Sequence, residues 1–429
     1  MSGWCGLTLF GAFVLFLAID FPIALALGGS SLLTVLVFDL APLELLPQVM
    51  FGTVDSFTLL AIPFFVFAGM ILGHTTLSRR LVDLAECVVG GIPGGLGIVG
   101  IIAAVFFAGI SGSGPADVAA LGLVLLGPMY SAGYPRPFSG ALIAASGGIG
   151  ILVPPSIALI IYGFIAEVSI PKLFVAGIIP GIIVALFLSV VTYSISRRYG
   201  YGNAARRKSE MSFITALRRA IWGLLAPVII LGGIYGGIFT PTEAAAIAVV
   251  YSLAVDMLVY RSISFGDIIP LAARAAVTTA VILSIVAAAS LFAWIMNTQG
   301  IAGNIAAFLL SLSTGKVVML LLINAILIIA GLVLDAISIF YILLPIFLPV
   351  VRMLGIDPIH FGVIITMNLA IGQITPPVGV NLVASSGVTG LSVGVLSRAV
   401  LPFIASELCA LAVVTFFPPL SLFLPELMS

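Results

Sequence analysis

Long apolar stretches fill most of this chain, so the informative positions are the few where small or polar residues interrupt them. Residues 108–117, Ala-Gly-Ile-Ser-Gly-Ser-Gly-Pro-Ala-Asp, divide an apolar run that extends from Ile98 to Phe107 before them and from Val118 to Leu126 after. A run of that composition belongs in lipid. No water is present there to satisfy backbone groups, so such a break is tolerated only inside protein or beside an aqueous cavity. The flanking arms, Ile98 to Ala108 and Val118 to Pro128, have about eleven residues each. At ~1.5 Å per residue neither crosses a ~30 Å hydrocarbon layer. The pattern predicts a re-entrant helical hairpin over 98–128, with its tip at 111–117.

A second interruption follows at Gly147-Gly148-Ile149-Gly150-Ile151-Leu152-Val153-Pro154-Pro155-Ser156. Consecutive prolines remove two amide donors and push the preceding residue out of the helical region. One helix over 138–167 therefore becomes two half-helices with free ends at membrane depth, where exposed backbone dipoles attract ions. The unit recurs. An offset of 222 places Pro154-Pro155 on Pro376-Pro377 and Ala108-Gly109 on Ala330-Gly331 without a gap. The second copy predicts a hairpin over 317–351, a tip around Asp335 and a broken helix over 360–388. A duplicated broken-helix unit is the best pointer in a sequence to a transport site.

The remaining elements frame these repeats. Residues 1–73 read as N-terminal scaffold. Apolar runs at 5–19 and 22–38, parted by Asp20-Phe21-Pro22, form two helices or one bent one, and a connector at 39–55 with three acids leads to a helix at 57–73. An amphipathic, polar stretch at 74–95 reads as an arm lying along the membrane surface. The first transport repeat occupies 96–167. Scaffold helices at 173–195, 221–239, 243–260 and 275–296 fill 168–299, with a basic loop at 197–219 and a surface stretch from Arg261 to Arg274. Thr240-Pro241-Thr242-Glu243 is a capping box, which gives Glu243 a structural role. A second arm at 300–315, the second repeat at 316–388 and a C-terminal segment at 389–429 with a helix at 396–417 complete the chain.

Composition narrows the class. Of 429 residues, 62% are hydrophobic and 7% charged, with a mean hydropathy of +1.34. This is an all-α polytopic membrane protein embedded in a lipid bilayer, with no nucleic-acid role. Seven of the sixteen basic residues (Arg197, Arg198, Arg206, Arg207, Lys208, Arg218 and Arg219) share one loop, which the positive-inside rule places in the cytoplasm. Five full crossings then separate the two tips. An odd number inverts the second repeat relative to the first, the parity alternating access needs. Cys5, Cys87 and Cys409 have no paired spacing, His74 and His360 lie far apart and read as interfacial, and no basic region precedes the first apolar run. No disulfide frame, metal cluster, organic cofactor or cleavable signal peptide is expected.

The polar residues of the tips and breaks carry the candidate chemistry. Ser111, Ser113, the carbonyls around Gly112 and Gly114, and the Val153 and Pro154 carbonyls form an oxygen-rich cluster suited to sodium. Asp335, Ser338, Thr375 and the Thr375 and Pro376 carbonyls form its counterpart. An intramembrane carboxylate is a functional candidate by default. Capping of the outgoing half-helix competes with that role, and weighs more for Asp117, just after Pro115, than for Asp335. Asn368, Gln373 and Asn381 are candidate hydrogen-bond partners of a polar solute, with interhelical bonding as their structural alternative. The solute set is completed by Ser113, Pro115, Asp117, Pro155, Ser156 and Pro377.

The blocks Ser-Gly-Ser-Gly-Pro-Ala-Asp at 111–117, Gly-Ile-Leu-Val-Pro-Pro-Ser at 150–156, Phe-Thr-Pro-Thr-Glu-Ala-Ala at 239–245 and Gln-Ile-Thr-Pro-Pro-Val-Gly-Val-Asn at 373–381 occur in order. With them the chain resembles the large membrane subunit of tripartite ATP-independent periplasmic (TRAP) transporters over nearly its whole length. The resemblance implies a sodium-coupled importer of small organic acids, such as sialic acid or C4-dicarboxylates, in a bacterial or archaeal inner membrane, working by an elevator movement. It also implies a periplasmic solute-binding protein and a small four-helix membrane subunit. That subunit is expected as a separate chain, since nothing before Phe10 holds four helices. Ion sites would fall on 111–114, on 150–155 including Gly150, around Asp335 and on Thr375 to Pro377. Two other readings compete. One is a self-sufficient anion:sodium symporter of the same architecture. The other is a rhomboid-type intramembrane protease, suggested by Gly109-Ile110-Ser111-Gly112, although the repeat copy carries Val333 in place of the serine.

Overall fold

The computed structural model describes residues 2–73, 77–202, 211–312 and 315–428. His74 and Arg206, Arg207 and Lys208 of the basic loop lie outside the described residues. The described chain is helical with no strand. Six helices are long and apolar enough to span a bilayer: Ile170–Tyr199, Phe213–Tyr235, Pro241–Tyr260, Phe265–Thr298, Ala336–Met353 and Val393–Phe416.

Both hairpins form, with longer arms than the sequence suggested. The first pairs Gly95–Ser111 with Gly114–Ser131, helices of 17 and 18 residues, so only Gly112 and Ser113 remain as its tip. The expected break at 111–117 shrinks because Pro115 falls in the first helical turn, where no intrahelical partner for its missing amide is needed. The second hairpin pairs Lys316–Gly331 with Ala336–Met353. Both broken helices form as well. Arg136–Gly147 tightens into a 3₁₀ turn at Gly148–Ile151 before the prolines, and the chain resumes as Ile157–Ala166. Pro358–Ile374 gives way to Val380–Thr389. The Pro154–Pro155 and Pro376–Pro377 bonds are both cis.

The offset of 222 holds in three dimensions. Ser113 and Asp335 each stand as N-cap of an outbound arm, and Arg136 and Pro358 each begin a broken helix. The packing is reciprocal. The leading half of each broken helix packs on its own hairpin, whereas Ile157–Ala166 packs on the outbound arm of the second hairpin and Val380–Thr389 on that of the first. Such an exchange is what a two-fold relation between repeats produces. Between the hairpins lie the first broken helix and four long helices, Ile170–Tyr199, Phe213–Tyr235, Pro241–Tyr260 and Phe265–Thr298. Five crossings invert the second copy.

Several expectations need correction. Of the two alternatives for the N-terminal apolar runs the structure has two helices, Ser2–Ala18 and Ile23–Phe38, packed on each other. The acidic connector contains a helix, Leu45–Val54, and a short helix, Pro419–Glu426, follows the last span. Arg197 and Arg198 belong to the last turn of Ile170–Tyr199, and Arg218 and Arg219 to the helix that starts at Phe213. Among the described residues the basic segment is therefore largely helix end rather than loop. Cations at a helix C-terminus oppose its negative pole, which favours that extension at Arg197 and Arg198. The supposed surface stretch 261–274 is mostly the start of the 34-residue helix Phe265–Thr298, where the Asp267 carboxylate accepts from the Ser264 amide at 2.8 Å. The arms are Leu77–Val89, which buries Leu77, Leu81, Leu84 and Ala85 along one face, and Ile301–Leu312.

A close backbone crossing joins the second hairpin to the second broken helix. A Cβ on Gly372 would lie 2.9 Å from the Gly331 Cα, so the two backbones touch directly. Forcing a side chain there costs roughly 1–3 kcal/mol or more. Gly372→Val is expected to lower the melting temperature of the purified chain by several degrees. Gly232→Ala, where nothing lies within 4 Å, is expected to leave it unchanged or raise it. Equal melting of the two variants contradicts the close crossing.

Candidate functional site

The first tip rests on the first break. Gly112 adopts φ +60°, and a Cβ there would lie 2.7 Å from the Pro155 carbonyl oxygen, so glycine is needed both for the turn and for the approach. The Ser111 hydroxyl donates to the Asp117 carboxylate and accepts from the Ser113 amide at 3.2 Å. Asp117 is fully buried, and its second oxygen, Oδ2, lies against Gly150 with no hydrogen-bond partner.

Residues from the second repeat complete this arrangement. A Cβ on Gly114 would meet Gln373 Oε1 at 2.5 Å, Asn381 Oδ1 at 2.9 Å and the Gly147 carbonyl at 3.0 Å. Both amide oxygens are buried without a donor. Asn381 is oriented by its own nitrogen, which donates to the Ala144 carbonyl at 3.2 Å. Three donorless side-chain acceptors, one of them a carboxylate, thus gather with a backbone carbonyl around Gly114, Gly147 and Gly150. Buried acceptors left unpaired cost about 1–3 kcal/mol each, and a cation relieves all of them together.

The second tip is built differently. Asp335 caps the outbound arm, accepting from the Ile337 amide at 3.0 Å and the Ser338 amide at 3.4 Å, and from the Ser338 hydroxyl at 2.5 Å. The two acids thus exchange the roles weighed from sequence: Asp335 caps its helix, whereas Asp117 turns inward. Thr375 donates to the Ile371 carbonyl at 2.5 Å. A cavity of about 80 Å³ lies here, bounded by Leu334, Asp335, Gly372 and Gln373, so Gln373 touches the surroundings of both tips.

Other expected site residues serve the fold. Ser156 is the N-cap of Ile157–Ala166: its hydroxyl accepts from the Leu159 amide at 3.3 Å and donates to the Ile151 carbonyl. Asn368 donates to Asn324 at 2.7 Å and to the Ile364 carbonyl at 2.8 Å, the interhelical alternative weighed for it. The Val153 side chain packs on Gly181, Pro154 and Pro155 are buried, Pro115 and Pro376 are half-buried and Pro377 is exposed. His360 contacts the Ser421 hydroxyl at 2.6 Å and Ser111 is committed to Asp117, so this histidine does not serve that serine as a base. The Glu243 capping box forms as read, its carboxylate accepting from the Thr240 amide at 2.8 Å.

A larger cavity, about 360 Å³, runs between the first hairpin and the scaffold helices Ala61–Gly73 and Phe265–Thr298. Ser111 and Ser113 line one wall, Arg274 and Thr278 the other. Arg274 escaped notice because it closes a polar stretch that reads as surface. Glu407 escaped too: an acid within the apolar run 393–416, it is 1% exposed, neither oxygen has a partner, and Oε1 lies 3.7 Å from where a Gly148 Cβ would sit.

Comparison with known proteins agrees with this architecture. Residues 10–420 match the family described as "Tripartite ATP-independent periplasmic transporter, DctM component". The chain is 43% identical, over 97% of its length, to the isethionate TRAP transporter permease protein DctMQ of Oleidesulfovibrio alaskensis, and spans 65% of that relative's length. It is 42% identical to the C4-dicarboxylate TRAP transporter large permease protein DctM of Pseudomonas aeruginosa, covering 94% of each chain. The crystal structure of the Alcanivorax borkumensis YdaH transporter shares the fold, with a TM-score of 0.64 over 86% of each chain at 18% identity. The chain is a membrane transport protein rather than an enzyme, and it belongs to the DctM component family of tripartite ATP-independent periplasmic transporters.

Proposed function

We propose that this chain is the sodium-coupled permease subunit of an importer for a small organic acid. The observation that carries the reading is the set of donorless side-chain oxygens, Asp117 Oδ2, Gln373 Oε1 and Asn381 Oδ1, gathered beside the Gly147 carbonyl. A carboxylate with neutral oxygens in a dry site is the chemistry of a hard monovalent cation. Sodium binds there between the first hairpin, the first break and the second broken helix. A second sodium binds at the other tip, where the Ser338 and Thr375 hydroxyls each donate one hydrogen bond and keep lone pairs free to accept a cation, beside the Thr375 and Pro376 carbonyls.

The first cation orders the tip that bounds the larger cavity, and the second steadies the other tip of the same packed body. Ion and solute then stabilise the same state, which is the thermodynamic content of coupling. The hairpins and broken helices form one packed body, and its movement as a unit past the scaffold is an elevator step. A periplasmic binding protein delivers the solute and a small four-helix subunit flanks the scaffold, in an inner membrane with the basic segment 197–219 cytoplasmic. Relatives named for isethionate and C4-dicarboxylate transport support an organic anion as cargo.

Purified protein in liposomes, with its small subunit and cognate binding protein, is expected to take up the acid only with an inward sodium gradient. Uptake indifferent to sodium removes the proposal, and uptake without a binding protein favours the self-sufficient symporter. Asp117→Asn deletes the only charged ligand of the first cluster. The sodium concentration for half-maximal uptake is expected to rise roughly 10- to 100-fold. An unchanged sodium dependence separates the cluster from transport.

A further inference from the structure

Arg274 stands near the start of an apolar helix, exposed and with no ion pair among the described residues. It lies nine residues after Phe265, roughly 14 Å along the axis of the 34-residue helix Phe265–Thr298, and pairs with none of the described residues. Ionisable groups inside membrane helices are expensive. They face protein or a water-filled cavity, and they pair with a counter-charge or line a substrate path. Arg274 faces the cavity of about 360 Å³, and among the described residues that line it no other is charged.

The remaining lining suits an anion with a short carbon skeleton. Thr278 stands one turn from Arg274 on the same helix face, and Ser111 and Ser113 present hydroxyls from the hairpin tip. Ala116, Ala119 and Ala120 on the outbound arm are small and leave space, and Phe107 and Ile282 make the rest apolar. A mostly apolar concavity of this volume, with a few convergent polar groups, is the usual form of a small-molecule site.

We propose that Arg274 is the residue that recognises the solute's carboxylate, holding it bidentately through the guanidinium while the tip hydroxyls and Thr278 take the solute's other polar groups. The inference rests on the transporter reading above and deepens it. The arginine belongs to the scaffold and the serines to the hairpin, so the site is complete only while these two bodies face one another. Displacing the hairpin parts the anion from its counter-charge. Arg274 therefore sets both the charge selectivity of the site and the position at which the solute is held.

The test uses full-length protein in liposomes preloaded with solute, with its small subunit and with its cognate binding protein in excess outside, and reads exchange. The probes are succinate and C2 to C6 monocarboxylates, each with its uncharged amide. Arg274→Gln is expected to raise the half-saturating acid concentration about 10- to 100-fold, with the sodium requirement unchanged. Arg274→Lys, which keeps the charge and loses the fork, is expected to fall between Gln and wild type. Should Arg274→Gln not fold, Ala120→Leu narrows the cavity from the hairpin side and is expected to raise the same concentration. Half-saturation unchanged in Arg274→Gln, or in Ala120→Leu where that variant must stand in, overturns the assignment, as does exchange of the uncharged amides as readily as the acids. Wild type that moves no acid with sodium ends the transporter reading itself. Wild type that does so while its variants match it ends this inference alone.

Discussion

Everything in this fold answers to the absence of water around the backbone at membrane depth. Two hairpin tips and two Pro-Pro breaks leave helix ends without intrahelical partners, and lipid offers none. Scattered through the bilayer, these interruptions would cost more than helix packing returns. Collected, they satisfy or bury one another. The 3₁₀ turn at Gly148–Ile151 uses up part of the first break, the Gly112 tip closes on the Pro155 carbonyl, and the Ser156 and Asp335 side chains cap the helices that restart. What the collected interruptions leave unsatisfied is concentrated near Gly114, and it consists of acceptors.

Glycine makes the concentration possible. At Gly114 and Gly372 a single Cβ would displace an amide oxygen or a backbone crossing, and at Gly150 it would displace a carboxylate. Small residues let helices approach closely in membranes, where lipid chains remove the hydrophobic drive for association. Here the same closeness brings side-chain oxygens onto the backbone of a facing element. Close packing and the clustering of unpaired oxygens are therefore one property of these positions.

How much of this could be read in advance depended on the range of the interaction. The repeat was legible because Pro154-Pro155 and Pro376-Pro377 are local breaks with an obligatory backbone effect, and the offset of 222 that aligns them also aligns Ser113 with Asp335 as helix caps. Capping itself was harder to assign, because it depends on which residue stands outside the first turn. Pro115 lies within that turn, which leaves Ser113 as the cap and turns Asp117 inward. The approach of Gln373 and Asn381 to Gly114 joins residues far apart in sequence, and no window of the chain encodes it. Arg274 and Glu407 were missed for opposite reasons. One ends a polar stretch that averages to surface, and the other is a single acid whose apolar neighbours outweigh it in any hydropathy window.

The two copies share a backbone plan but not a chemistry, and that difference bears on how the proposed ion would act on the whole unit. At the position related to Asp117 by the repeat stands Ile339, while the acid of the second tip is spent on capping. The first cluster takes its carboxylate from the first repeat and its two amide oxygens from the second. A cation held there binds across the seam between the repeats rather than within either. On the proposed reading, its binding would oppose their separation and so favour movement of the two repeats as a single body.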